Sequence, residues 1–315
     1  MNEHVDLTTT LIEVAHYYYV ENLSQQEIAD KLKVSRSLIA LYLKKAKEDG
    51  IVHIEIVDPH NLHQKLGYQV REKYNLAYVN VVPSAHNSNT LTTRALGNAV
   101  AAYLDQVLKD GDTLGLGWGR TITEIANLLA PARPRQINVV PLLGESGNTG
   151  IYSRLNQIVL EVAKSFCGTP YFLLAPILVG SPRLREAFVQ DESTQDVIDR
   201  WNRLDVVCFG IGSNPPTEGQ IVYIGEENLA RMRQKGIIGD ICARYFDRDG
   251  KFIDNELSQR VIGVGLEQLY KAKTVIAVGS GIEKSIAVRG ALKLGLINTL
   301  FIDEVMANAL LVDSN

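Results

Sequence analysis

Ser24-Gln25-Gln26-Glu27-Ile28-Ala29-Asp30-Lys31-Leu32-Lys33-Val34-Ser35-Arg36-Ser37-Leu38-Ile39 reads as a short helix, a tight turn and the start of a second helix. Ser24 followed three residues later by Glu27 is a capping box, in which each side chain satisfies the other residue's free backbone N–H. Ile28, Ala29 and Leu32 then share one helical face. Lys33-Val34 makes the turn, and Ser35 caps the helix that follows. That helix carries Ile39, Leu43 and Ala46 inward and leaves Arg36, Lys44, Lys45 and Lys47 for other faces. Two short helices, the second polar at its start, form the helix-turn-helix arrangement, whose second helix lies in the major groove of duplex DNA.

The flanks fit this reading. Leu7, Leu11, Val14, Ala15 and Tyr18 fall on one face of a preceding helix, supplying the third helix that a small core needs. Gly50 stops the second helix of the motif, and Val52, Ile54 and Ile56 alternate with His53 and Glu55 as in a half-buried strand. Asp58-Pro59 is the natural end of the unit. We therefore expect a helical DNA-binding domain over 1–58 and a second domain over 59–315. The alternative is an ordinary helical subdomain of an enzyme. It is disfavoured because caps, turn and basic side chains agree with one another.

Composition bounds the rest. The 315 residues, 46% hydrophobic and 22% charged, give room for a small domain and one large one. A formal net charge of -4 is not that of a typical nucleic-acid binder, but phosphate contacts need only local cations. No apolar run approaches the ~20 residues that cross a bilayer. The polar start Met1-Asn2-Glu3-His4 is no secretory signal, so a cytoplasmic chain without a membrane partner is expected. Cys167, Cys208 and Cys242 are far apart among apolar residues and are expected as buried free thiols, without zinc or redox spacing. His4, His16, His53, His60, His63 and His86 all lie in the first third, so the large domain is expected to hold no histidine for metal binding or as a general base.

Beyond the first domain, apolar strands alternate with amphipathic helices. Helices are expected over 62–74, 90–108 (apolar at Leu91, Ala95, Ala99, Ala102 and Leu104), 121–129 and 152–166, and a last one ending at Leu311. Strands are expected over 78–83, 112–117, 137–143, 171–175, 206–211, 275–278 and 300–302. Such alternation makes a mostly parallel sheet with helices on both faces, an α/β fold. In such sheets ligands sit beyond the carboxyl ends of the strands, which turns the glycines into a map. Gly115-Leu116-Gly117-Trp118-Gly119-Arg120-Thr121, Gly144-Glu145-Ser146-Gly147-Asn148-Thr149-Gly150, Gly210-Ile211-Gly212-Ser213 and Gly279-Ser280-Gly281 with Lys284 each leave a strand. The first runs into a helix, so its N–H groups and the helix dipole can hold an anion, with Arg120 and Thr121 adding a charge and a hydroxyl. A lone glycine pair is usually a tight turn, but four such loops at one sheet edge indicate a small-molecule pocket. Glu145, Asp240, Glu283 and Lys284 remain for chemistry; Lys284 is either a Schiff-base lysine or, as favoured, a point-charge clamp for phosphate.

Several runs resemble the SorC/DeoR family of sugar-responsive bacterial transcriptional regulators. They are Leu23–Ala29 with Val34-Ser35-Arg36, Lys47–Val52, Gly115–Gly119, Gly239-Asp240-Ile241-Cys242-Ala243-Arg244-Tyr245-Phe246-Asp247 and Ala277–Gly281. The resemblance runs in order along almost the entire chain. It implies an N-terminal DNA-binding domain and a large Rossmann-like effector domain related to glucosamine-6-phosphate deaminase and ribose-5-phosphate isomerase. It also implies a sugar or sugar-phosphate effector, and homo-oligomers, dimers or tetramers, on palindromic double-stranded operator DNA. By motif, Trp118 would pack on the sugar, the N–H groups of Gly119, Arg120 and Thr121 would face a phosphate, Asp240 would accept from hydroxyls and Lys284 would meet the anionic end. Gly117, Gly144, Glu145 and Gly212 complete the expected effector set. The expected DNA-contacting set is Gln25, Ser35, Arg36, Ser37, Leu41, Lys44 and Lys45. No catalytic residue, metal or cofactor is expected.

Two positions depart from the family pattern. Ala40 and Leu41 stand where a serine-arginine pair is usual. Leu41 either contacts thymine methyls or, as slightly favoured, covers the domain's core, so Ser35, Arg36 and Ser37 carry more of the base reading. Leu143 stands where some members place a Schiff-base lysine, which argues against a covalent aldehyde effector. Two other readings stay open: a sugar-phosphate isomerase or deaminase with an accessory DNA-binding head, and an architectural DNA-binding protein with a vestigial pocket.

Overall fold

Where local signals dominate, the chain folds as its caps dictate. The computed structural model describes residues 2–52, 62–85, 89–129, 133–145, 154–214, 224 and 226–312. The chain divides into two units, Met1–Pro59 and His60–Asn315. In the first, α1 (Asn2–Tyr19) precedes α2 (Gln25–Leu32) and α3 (Arg36–Glu48). The capping box forms: the Ser24 hydroxyl accepts the Glu27 N–H at 3.3 Å and the Glu27 carboxylate accepts the Ser24 N–H at 2.8 Å. Lys33 closes α2 in the left-handed region, and the Ser35 hydroxyl caps α3 by accepting the Leu38 N–H at 3.2 Å. Val14, Ile28, Ala29, Ile39 and Leu43 form one apolar cluster; Leu11, Ala15 and Ala46 form another, against which Ile51 and Val52 pack. Leu41 is not part of either. It is 57% exposed, which corrects the view of it as a core cover. Ile54 and Ile56 of the expected strand lie outside the described residues.

The second unit is built on α4 (Leu62–Tyr74), β1 (Tyr78–Val82), α5 (Asn89–Val107), β2 (Thr113–Leu116), α6 (Arg120–Leu128), β3 (Asn138–Pro141), α7 (Leu155–Phe166) and β4 (Thr169–Pro170). There follow α8 (Pro182–Gln190), α9 (Glu192–Trp201), β5 (Val206–Gly210), β6 (Gly212–Ser213), α10 (Glu226–Gln234), β7 (Gly239–Ile241) and β8 (Arg244–Phe246). The chain ends through α11 (Leu266–Lys271), β9 (Thr274–Gly279), α12 (Ser285–Lys293), β10 (Thr299–Asp303) and α13 (Glu304–Leu311). Seven strands form a parallel sheet in the order β1-β10-β9-β5-β2-β3-β4. Every residue of β2 and β10 is buried, as a sheet covered on both faces requires. From β2 the chain steps outward to β3 and β4, then returns to lay β5 on the other side of β2. At such a reversal, beyond the carboxyl ends of the two strands, here β2 and β5, open α/β sheets take their ligands in a crevice. A small antiparallel sheet, β6-β7-β8, stands beside it.

Several expectations need correction. The strand expected over 171–175 is not one: β4 ends at Pro170, the Tyr171 N–H still donates to Val139 of β3, and beyond it Ala175 and Ile177 accept from loop residues Glu145 and Ile262. Helix α5 buries Thr92, Leu96, Gly97, Val100, Ala101 and Leu104, whereas Leu91 and Ala102 are exposed. Cys167 is exposed, because it caps the end of α7 in the left-handed region; Cys208 and Cys242 are buried. The second unit does contain histidine, since His60, His63 and His86 all belong to it by number. His63 sits on α4 with its Nε2 at 3.3 Å from the Glu304 carboxylate.

Candidate functional site

Two surfaces carry the candidate residues, one in each unit. On α3 the inward positions Ile39, Leu43 and Ala46 leave Arg36, Ser37, Ala40, Leu41 and Lys44 exposed along one stripe. Arg36 and Ser37 open the helix, where a reading helix meets base edges. The Ser35 hydroxyl is engaged as the cap, which fixes where Arg36 and Ser37 stand at the start of the helix. Lys44 pairs with Glu48 at 3.6 Å and Lys45 with Asp49 at 3.4 Å. Exposed pairs of this spacing contribute little, so either lysine can exchange its partner for a phosphate. Gln25, half-buried, is the first residue of α2.

In the second unit the glycine loops meet at one edge because every strand of the main sheet is parallel. The loop after β2 places Trp118 half-buried against the main core. Its carbonyl lies 4.0 Å from where a Cβ on Gly210 would stand, so the loops after β2 and β5 touch. Gly119 has φ +133, a conformation that a side chain would strain, and lets the chain enter α6 at Arg120. The first N–H groups of α6 have no acceptor within the helix. Gly212 pairs with Asp240 across β6 and β7, which brings that carboxylate to the same edge. Asp240 is buried and accepts the Ala243 N–H at 3.0 Å. It therefore braces a hairpin tip rather than capping a helix. Lys284 follows β9, half-buried, with its Nζ donating to the Ile211 carbonyl at 3.4 Å. Burial, and next the nearby Arg120 guanidinium, hold its ammonium below the usual lysine range, while Glu283 and Asp240 pull the other way. Lys284 thus feels the charges of both Arg120 and Asp240.

Three expected members do other work. Both Glu145 oxygens accept N–H groups at the start of α7, from Leu155 at 3.2 Å and Asn156 at 2.8 Å. A Cβ on Gly144 would stand 2.6 Å from the Ala175 carbonyl, so that glycine permits a close backbone approach. The Gly117 N–H is spent on the Cys208 carbonyl at 2.8 Å. Residues 146–150 of the same loop lie outside the described residues. The structure also brings in groups that the sequence does not single out. Asp303, at the carboxyl end of β10, is buried and accepts the Gly281 N–H at 3.2 Å. Its signal is an acidic residue between an apolar strand and a helix. Cys242 and Ala243 form the tip between β7 and β8 with φ of +48 and +55. Burial pushes the Cys208 thiol up to about 12, and raises that of Cys242 as well, so neither is a ready nucleophile. Among the described residues no group of His, Cys, Asp and Glu could hold a metal ion, and no helix is long and apolar enough to cross a membrane.

Comparison with known proteins fits both surfaces. Residues 21–53 match a family described as "Winged helix-turn-helix DNA-binding", and residues 58–312 one described as "Putative sugar-binding domain". The chain is 30% identical over 304 residues to the deoxyribonucleoside regulator of Bacillus subtilis (strain 168), covering 96% of this chain and 97% of that protein. It is 28% identical over 313 residues to the sorbitol operon regulator of Klebsiella pneumoniae, covering 98% and 99%. The crystal structure of the full-length sorbitol operon regulator SorC from Klebsiella pneumoniae superposes with a TM-score of 0.80 at 27% identity, covering 97% of this chain and 99% of that one. With a DNA-binding match over the head, a sugar-binding match over most of the chain and full-length regulators as relatives, the chain belongs to the SorC/DeoR family of sugar-responsive bacterial transcriptional regulators.

Proposed function

We propose that the chain binds operator DNA through α3 and that a phosphorylated sugar in the crevice between β2 and β5 changes that binding. The observation that carries this reading is geometric: just past β5, half-buried Lys284 donates to the Ile211 carbonyl and Asp240 pairs opposite Gly212, while the loop after β2 touches β5 and leads into the first N–H groups of α6. An anion near half-buried Lys284 is attracted also by the exposed Arg120, and the Asp240 carboxylate suits sugar hydroxyls. In this reading Trp118 packs on the sugar, and the first N–H groups of α6, those of Arg120 and Thr121, take the phosphate. Arg36 and Ser37 meet base edges, helped by Leu41, while Lys44, Lys45 and Gln25 meet the backbone. The chain works as a homo-oligomer in the cytoplasm and turns nothing over.

A thermal-shift series with ribose 5-phosphate, glucosamine 6-phosphate, sorbitol 6-phosphate and inorganic phosphate tests the crevice, because a ligand bound only by the native state raises the melting temperature. Lys284→Ala is expected to abolish both that rise and the change in DNA affinity, with ligand-free DNA binding retained. A variant that still responds would refute the assignment. Release of product from any of the sugar phosphates would favour the enzyme reading instead.

A further inference from the structure

We propose that occupancy of the crevice is passed to α4 through Asp303 and the Glu304–His63 pair, which act as positioning residues for regulation and not as ligands. The proposal rests on the assignment of the crevice made above. Asp303 does two things with one carboxylate. Its Oδ1 caps α13 by accepting the Met306 N–H at 3.2 Å and accepts the Gly281 N–H at the same distance. Its Oδ2 accepts the Ser84 hydroxyl at 3.0 Å, and that hydroxyl oxygen in turn accepts the Val305 N–H at 3.0 Å. The start of α13 is therefore bonded directly to the loop that presents Lys284, whose own N–H donates to the Gly281 carbonyl at 3.3 Å.

An anion drawn to Lys284 approaches the loop whose Gly281 N–H is held by the Asp303 carboxylate. It competes with Asp303 for the Gly281 N–H and repels the Asp303 charge, so this N–H has two acceptors to choose between. Asp303 cannot change its grip on Gly281 without disturbing the cap of α13. The next residue, Glu304, holds His63 in the first turn of α4 at 3.3 Å. At the other end of α4, Lys73 donates to the Leu311 carbonyl at 2.9 Å and the Tyr74 hydroxyl to that of Leu310 at 3.0 Å. Helix α4 is thus tied to α13 at both ends and moves with it. It begins at Leu62, directly after residues 53–61, which join the DNA-binding unit to this one in sequence. A shift at the start of α13 reaches the chain where it departs for the reading head.

The test uses the full chain, the sugar phosphate that gives the largest thermal shift, and a duplex selected from random DNA. His63→Ala, Glu304→Ala and the double variant are compared with the unaltered chain for sugar-phosphate affinity, ligand-free DNA affinity and the ligand-induced change in DNA affinity. In the unaltered chain that change is expected to be about fivefold or more, and in all three variants below about twofold, with both separate affinities kept. The double variant is expected to be no worse than either single one, since both break the same link. Amide exchange at residues 62–66 is expected to respond to ligand in the unaltered chain and not in Glu304→Ala. A full response in the variants overturns the proposal, and so does loss of sugar-phosphate affinity, which would make His63 or Glu304 part of binding. Failure of the crevice assignment looks different: Lys284→Ala would then bind and respond as before.

Discussion

Lys284 enters the crevice as a cation under constraint, and the constraint has a sign that can be measured. Burial and Arg120 disfavour its charged form in the free protein. In the pH range between that lowered pKa and the ordinary lysine value, the unfolded chain binds more protons than the folded one, so this residue's contribution to stability rises with pH there. A bound phosphate reverses the bias and raises the pKa. Binding therefore takes up a proton in the alkaline range, and affinity for a sugar phosphate is expected to weaken as pH rises through the free-state pKa. Calorimetry in two buffers of different ionisation enthalpy measures the uptake, and Lys284→Arg is expected to remove it, because arginine stays charged. Affinity flat with pH in the unaltered chain would mean that Lys284 does not face the anion. The same residue scale holds the least legible part of the site. A two-residue hairpin is announced by Asn-Gly or Asp-Gly, yet here Cys242 and Ala243 take the positive φ values, at a cost of roughly 1–2 kcal/mol each. The Asp240 carboxylate and complete burial of Ala243 hold the tip in place, and neither is visible in sequence.

Helix α3 is legible in the amino-acid sequence because everything that defines it is local. Ser35 lies at its cap, the inward residues recur at helical spacing, and the turn that precedes it closes on Lys33. Arg36→Ala is expected to weaken DNA binding by about 1–3 kcal/mol if the guanidinium reads a guanine, and to relax preference at one base position. Binding assays over a panel of single-base operator variants separate this from a phosphate contact, whose loss weakens all sequences alike and flattens the salt dependence. An Arg36→Ala protein that keeps full affinity would exclude both roles. Helices α8 and α9 escape a reading by periodicity even though Ser181-Pro182 and Asp191 cap them as a sequence rule would ask. For α8 the reason is that it buries no residue completely; α9 does bury Thr194, Val197 and Trp201 at helical spacing, but one of the three is a polar threonine. The opposite error arises at residues 171–175, where the alternation of buried and exposed residues is real. Alternation reports an extended chain with one buried side, and does not say which neighbour supplies the hydrogen bonds.

At the scale of the molecule, the order of strands places the crevice, and no single motif could do so. Four glycine loops suggest one edge, but only the return of β5 to the far side of β2 shows at which pair of loops the strand order reverses. A reading head with one such helix calls for two-fold partners on DNA, since each half-site offers few base contacts. Sedimentation of the chain with a palindromic duplex is expected to show two copies, or a multiple of two, per site; a single copy at saturation would overturn the oligomer reading. The sheet has a further consequence for how the protein comes into being. Among the described residues strand β1 lies at an edge of the sheet and pairs with β10, with Tyr78 opposite Thr299. On the ribosome the first strand made must wait for the last, whereas the three-helix head draws its contacts from its own neighbourhood. A growing chain thus has the contacts among its three DNA-binding helices in hand before the strand that pairs with β1 is made.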